Sequence, residues 1–179
     1  QMREIVELLL KKDEDESLGL DFILIDCPAG VELGFKTAIV CANEALIVTT
    51  PEIAAVRAAD KVIGILYANN INKVNLVINR SRRRMVLANN MMSLIDVQDI
   101  LSIPMLGNIP EDERVVIAVN KGEPLTTERK LSKTGQAFTN IAKNLVTEEE
   151  MIEEKKPGLF RRLSTLYSGN GQKELETNA

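Results

Sequence analysis

Residues 43–80 read NEALIVTTPEIAAVRAADKVIGILYANNINKVNLVINR. Ala45 to Val48 is a short apolar run with the look of a strand, and Pro51 stops it. Ile53 to Tyr67 then reads as a helix, and Val74 to Ile78 as a second buried strand. Apolar strands alternating with helices indicate an α/β fold with a largely parallel sheet.

The alternation continues on both sides of this unit. Upstream, Phe22 to Ile25 in DFILID predicts another strand, broken by Pro28, Ala29 and Gly30, with a helix from about Leu33 to Cys41. Met2, Ile5, Val6, Leu9 and Leu10 recur at helical spacing, and the charged run KKDEDE at 11–16 follows as a solvated connection. Downstream, Arg80 to Ala88 reads as a basic loop or frayed helix. Ser93 with Asp96 three residues on predicts a capped helix to about Leu101. Met105 to Ile109 is a short strand ending at Pro110, and helices follow at about 112–119 and 133–146. The expected architecture is four neighbouring parallel strands, at 22–26, 45–49, 74–78 and 105–109, flanked by helices. Residues 1–147 form the domain and 148–157 a charged linker. An amphipathic helix at 158–168 and a disordered polar tail at 169–179 complete the chain.

Composition narrows the function classes. With 179 residues and 45% apolar content the chain can bury a core of its own, which excludes wholesale disorder. A net charge of -4 argues against a general nucleic-acid binder, so no specific nucleic-acid partner is expected. There is no histidine, which excludes a His base, a His triad or a His-ligated metal. Cys27 and Cys41 have no metal-ligand spacing and fit a reduced, intracellular compartment. No apolar run approaches the roughly 20 residues needed to span a bilayer, and no signal peptide is visible. Gln1 is read as a cut through a longer protein, Met2 as a true start being the alternative.

The motif ILIDCPAG at 23–30 carries chemistry. A strand ending in Asp26 sets a carboxylate at the carboxyl edge of the sheet, where open α/β sheets bind ligands. There it can hold Mg²⁺ through the ion's water shell. The Pro-Ala-Gly turn can face backbone amides to a terminal phosphate, with Gly30 allowing close approach. The other reading of Asp26, a cap for the next helix, stays open on these residues alone.

A second feature is GLFRRLSTLY at 158–167. Leu159, Phe160, Leu163, Leu166 and Tyr167 follow i, i+3, i+4, i+7 spacing, with Arg161 and Arg162 beside the stripe. A basic amphipathic helix reads as a membrane-surface element, and packing on its own domain is the alternative.

Taken in order, DCPAGVELGF, residues 43–66, VINR at 77–80, GNIPEDERV at 107–115 and NKGEPL at 120–125 resemble the MinD/ParA family of deviant P-loop ATPases. The wording is closest to the cyanobacterial and plastid MinD type. The resemblance implies an ATPase that uses ATP and Mg²⁺. It makes Asp26 the Mg²⁺-linked carboxylate and Gly30 the γ-phosphate sensor. Asn79 becomes the reader of the adenine edge, with Pro110 and Asp112 in the loop that brackets the base. Without it, Asn79 is a turn residue satisfying its own backbone. Glu52, Arg57 and Asp60 fall on the surface that, by the same resemblance, meets a MinC-like division inhibitor and a MinE-like topological factor. Arg57 and Asp60 are also spaced to pair within the helix.

By the resemblance the ATP-bound form is a homodimer on an anionic membrane surface and recruits the inhibitor for division-site placement. It would act from the cytoplasm at the inner face of the cell membrane, or from the stroma at the inner envelope of a plastid. The chain departs from the pattern in having no Gly-Lys dipeptide, hence no phosphate-loop lysine, so no catalytic residue is assigned within it. A DNA-partitioning or cluster-assembly ATPase of the same superfamily, or a nucleotide-free paralogue that binds partners, are the alternatives.

Overall fold

The computed structural model describes residues 2–10, 20, 22–28, 30–127 and 130–147. In chain order these form α1 (Met2–Leu10), α2 (Leu33–Ile39), β1 (Glu44–Thr49), α3 (Ile53–Ala68) and β2 (Lys73–Ser81). Then come α4 (Arg83–Leu87), α5 (Leu94–Leu101), β3 (Met105–Pro110), α6 (Glu113–Lys121), a 3₁₀ turn (Leu125–Thr127) and α7 (Lys133–Thr147). The three strands lie side by side in the order β1-β2-β3, all parallel. Ile47 stands beside Leu76, and Asn79 beside Ile109.

A parallel central strand needs apolar side chains on both faces, and β2 supplies them. Leu76 and Ile78, both 0% exposed, face a core that also holds Ile47 and Met105, Val56, Ile63 and Leu66 of α3, Phe35 of α2 and Val97 of α5. Val77 faces the other way and packs with Leu106, Ile109, Ile141 and Leu145 under α7. Each such side chain contributes roughly 1.5–3 kcal/mol by leaving water. The second layer stops short of β1, where Leu46 and Val48 remain 40% and 58% exposed.

Helix ends follow local chemistry. Ser93 Oγ accepts the Asp96 N–H at 3.1 Å while Asp96 Oδ2 accepts the Ser93 N–H at 3.0 Å, a closed capping box at the expected place. At the end of α3, Ile71 N–H donates to Leu66 O and Asn70 N–H to Tyr67 O, both at 3.0 Å, with Asn70 at φ 64°. This is a Schellman closure with asparagine in the usual glycine place.

One expected strand does not form. Phe22–Asp26 has no ladder partner among the described residues, and Leu24 is 80% exposed. An apolar run becomes a strand only when a neighbour takes its backbone N–H and C=O groups. The expected four-stranded sheet is therefore three-stranded among the described residues. Residues 148–179, with the expected linker, amphipathic helix and tail, lie outside the described residues.

Helix α7 owes its seat to a glycine. A Cβ at Gly135 would stand 2.8 Å from Leu125 O, a backbone atom that cannot swing away. Gly64 in α3 is exposed with nothing within 4 Å of its added Cβ. Gly135→Ala is therefore expected to destabilise the domain by about 1–3 kcal/mol. Gly64→Ala should stabilise it by about 0.5–1 kcal/mol through helix propensity. Denaturant midpoints of the two variants check this. Equal shifts of the same sign would show that α7 is not held against the 3₁₀ turn.

Candidate functional site

Because all three strands are parallel, their carboxyl ends gather on one edge of the sheet, the usual ligand edge of such folds. Thr49 to Glu52 leave β1 there, Asn79 to Arg82 leave β2, and Pro110 to Asp112 leave β3. Asn79 and Pro110 thus come to the same edge, as the sequence reading required, with Ser81 paired beside Pro110.

Asn79 is half-buried, and its Oδ1 accepts the Arg80 N–H at 2.9 Å. That is the turn reading of the residue, and it leaves the two amide N–H donors over for a base. Arg80 sits at φ 58°, a left-handed conformation uncommon for a side chain of its size. Glu111 steadies it, because one carboxylate oxygen takes Arg80 Nη2 at 3.1 Å and the other takes Arg82 Nε. The Glu111 N–H donates to Ser81 O at 3.1 Å, and Ser81 Oγ donates to Asn108 Oδ1 at 2.6 Å. The ends of β2 and β3 are thereby stitched together by polar contacts above the apolar core.

Asp112 has a role other than base contact by its carboxylate. Its Oδ1 accepts the Arg114 N–H at 3.0 Å as N-cap of α6, Arg114 Nη2 lies 2.6 Å from Oδ2, and Thr134 Oγ1 donates to Oδ2 at 2.7 Å. Hydrogen bonds from Arg114 and Thr134 hold this carboxyl well below the usual carboxylate range. A depressed folded-state pKa stabilises at every pH above the ordinary carboxylate value. The contribution declines as pH falls below that ordinary value and is gone once the folded carboxyl is itself protonated.

Glu111 and Thr134 were not legible as site residues, since their contacts join positions up to 31 apart. The only local signal was Asp112 before a helix start. A groove of about 430 Å³ between β3, α5 and α7 includes Pro110 and Asn108 in its walls but neither Asn79 nor Asp112.

Asp26 and Gly30 precede α2. Asp26 is exposed, and among the described residues no hydrogen bond or ion pair ties it or Gly30 to the ends of β2 and β3. Gly30 lies at φ 94°, open to glycine and strained for other residues, with free space where a Cβ would stand. Desolvation, and then the neighbouring Asp26 carboxylate, push the thiol of the exposed Cys27 up. Among the described residues no three acidic or cysteine side chains gather to hold a metal. An exposed, unpaired carboxylate suits the outer water of a Mg²⁺ ion that arrives on phosphates.

Arg57 and Asp60 are exposed on α3, opposite the buried stripe of Val56, Ala59 and Ile63. Among the described residues the ion pair their spacing allowed is absent, and both stand open to solvent. Glu52 occupies the N-cap position of α3 without a side-chain cap bond. The membrane residues Leu159, Phe160, Arg161, Arg162, Leu163 and Leu166 lie outside the described residues. Among those described, no helix is long and apolar enough to cross a membrane.

Residues 2–146 match the family described as ParA: NUBPL iron-transfer P-loop NTPase. The chain is 48% identical over 160 residues to a putative septum site-determining protein MinD of Chlorella vulgaris, covering 88% of this chain and 57% of that one. It is 50% identical over 145 residues to the septum site-determining protein MinD of Synechocystis sp., covering 81% and 52%. The chain thus spans about half the length of the curated relatives it matches.

Among solved structures it is similar to the MinD cell division protein of Aquifex aeolicus, with TM-score 0.74, 36% identity, and 83% of this chain and 60% of that chain covered. It is likewise similar to the Aquifex aeolicus MinC:MinD cell division protein complex, with TM-score 0.68, 39% identity and coverages of 72% and 53%. A third likeness is to the septum site-determining protein MinD of Pyrococcus horikoshii complexed with Mg-ADP, with TM-score 0.65, 29% identity and coverages of 81% and 56%.

Proposed function

Because the chain belongs to the MinD/ParA family of P-loop ATPases, we propose that the whole protein is an ATP-dependent switch for placing the division site. In this reading it joins the membrane as an ATP-bound homodimer, recruits a MinC-like division inhibitor and leaves the membrane on hydrolysis. The observation that carries it is the likeness to septum site-determining proteins over most of this chain.

Hydrolysis belongs to the whole protein, because the 179 residues of this chain include no Gly-Lys dipeptide to supply the phosphate-loop lysine. Asp26 would hold Mg²⁺ through the ion's water shell, where the ion would neutralise phosphate charge, and Gly30 would let the backbone close on the terminal phosphate. Asn79 donates its amide N–H groups to the adenine edge, and the Pro110–Asp112 loop brackets the base. Glu52, Arg57 and Asp60, exposed at and near the start of α3, offer a mixed-charge surface to the inhibitor and to a MinE-like factor. Residues 158–167 supply the membrane contact, at the inner face of the cell membrane or, in a plastid, of the inner envelope. An iron-transfer role, by contrast, calls for paired thiolate ligands, and Cys27 and Cys41 form no CxxC motif in these 179 residues.

Nucleotide titration of the whole protein tests the reading. Asn79→Ala is expected to weaken ATP binding by about 1–3 kcal/mol, the cost of leaving the base edge unpaired. An unchanged dissociation constant would reject Asn79 as the base reader.

A further inference from the structure

Thr134 is 1% exposed, in the first turn of α7, and among the described residues only Thr49 and Ser132 join it as buried polar side chains. Burying a hydroxyl is unfavourable unless a partner replaces water, and its partner is a charged one, Asp112 Oδ2 at 2.7 Å. Asp112 already has the Arg114 guanidinium and the N-cap bond of α6, so its carboxylate would be satisfied without α7. What the Thr134 bond adds is the position of the β3–α6 loop relative to α7.

The platform for that bond is firm. Ser132 Oγ accepts the Gly135 N–H at 3.0 Å, and the close approach of Gly135 to Leu125 O fixes the first turn of α7. The loop it holds is short of donors. Pro110 has no N–H, and the Glu111 N–H is given to Ser81 O. A loop so depleted suits adenine, whose 6-amino group donates, over guanine, whose 6-oxo group accepts. That preference lasts only while the loop is kept in place against the base.

We propose that Thr134 is a specificity-positioning residue: by tethering Asp112 to α7 it holds the Pro110–Asp112 loop where adenine is favoured over guanine. The inference rests on the nucleotide-binding reading of this sheet edge, and the test separates the two. The whole protein and its Thr134→Val and Thr134→Ser variants are titrated with Mg-ATP and Mg-GTP, and each variant's thermal melt is recorded.

The ratio of GTP to ATP dissociation constants is expected to fall about 5- to 10-fold in Thr134→Val, mostly through weaker ATP binding. Thr134→Ser, which keeps the hydroxyl, should restore the wild-type ratio. If Thr134→Val does not melt cooperatively, Thr134→Ala, a smaller side chain, carries the same comparison. An unchanged ratio in a folded Val or Ala variant overturns the inference, as does an equal loss of affinity for both nucleotides, which marks a purely structural link. A wild-type protein that binds neither nucleotide overturns the nucleotide-binding reading itself and this inference with it.

Discussion

Replacing Asp26 with alanine in the whole protein is expected to lower Mg²⁺-dependent ATP hydrolysis by about 10²-fold or more. The magnitude follows from removing one preorganised group that stabilises charge developing in the transition state. Asp26 stands exposed beside a turn whose Gly30 is at φ 94°, and among the described residues it has no ion pair or hydrogen bond to give up when Mg²⁺ arrives. Its removal should therefore leave the fold intact while depriving the ion of one anchor. Steady-state hydrolysis at saturating ATP, with Mg²⁺ varied, is the measurement. The variant should retain its thermal midpoint within about 0.5 kcal/mol of stability, as surface substitutions do. Full turnover in Asp26→Ala would remove this residue from the metal's surroundings.

The second large effect concerns the membrane. Fully burying a Leu or Phe side chain is worth roughly 1.5–3 kcal/mol, and on the proposed membrane reading the shallower interfacial insertion of Leu159, Phe160, Leu163 and Leu166 would give less for each. Each of Arg161 and Arg162 adds about 1 kcal/mol on an anionic surface, while ordering a short helix opposes these gains. One copy then binds weakly and reversibly. Two copies joined in a nucleotide-bound dimer gain about 10²–10⁴-fold in avidity. In the proposed switch, ATP would govern membrane residence by governing dimerisation. Leu163→Glu sets a charge in the middle of the apolar stripe and is expected to abolish ATP-dependent sedimentation with anionic vesicles, with ATP binding and dimerisation preserved. Wild-type sedimentation by this variant would show that residues 158–167 are not the anchor.

The strands that proved legible were those whose apolar runs end at a proline or a polar turn and have a partner on the sheet, Glu44–Thr49, Lys73–Ser81 and Met105–Pro110. Phe22–Asp26 has the same local pattern and no ladder among the described residues. Pattern records the wish of side chains to leave water, and pairing depends on a neighbour that a local window does not contain. The capping box at Ser93 was readable because both of its bonds span three residues.

The candidate site was legible only as far as its anchors. Asn79 and Pro110 were placed on one edge by strand order alone, which needs no side-chain detail. The groups that fix them, Glu111 across to Arg80 and Arg82, and Thr134 across to Asp112, join separate elements through single hydrogen bonds. Such pairs leave no periodic trace, and an exposed-looking acidic Glu111-Asp112 dipeptide reads as solvated surface until the arginines arrive. Asp112 shows this most clearly, since its carboxylate binds both Arg114 and Thr134.

Strand β1 lies at the edge of the described sheet, with Leu46 and Val48 uncovered by α7. A strand edge beside apolar side chains is a template for another strand, and among the described residues none takes that place beside β1. The sequence carries gatekeepers against such pairing. Glu44, paired with Lys73 at 3.0 Å, keeps charge at one end, Pro51 closes the other, and six residues give an intruding strand few bonds to make. How readily this edge takes up another strand is thus set by a short stretch of β1, and a single added charge there would change it.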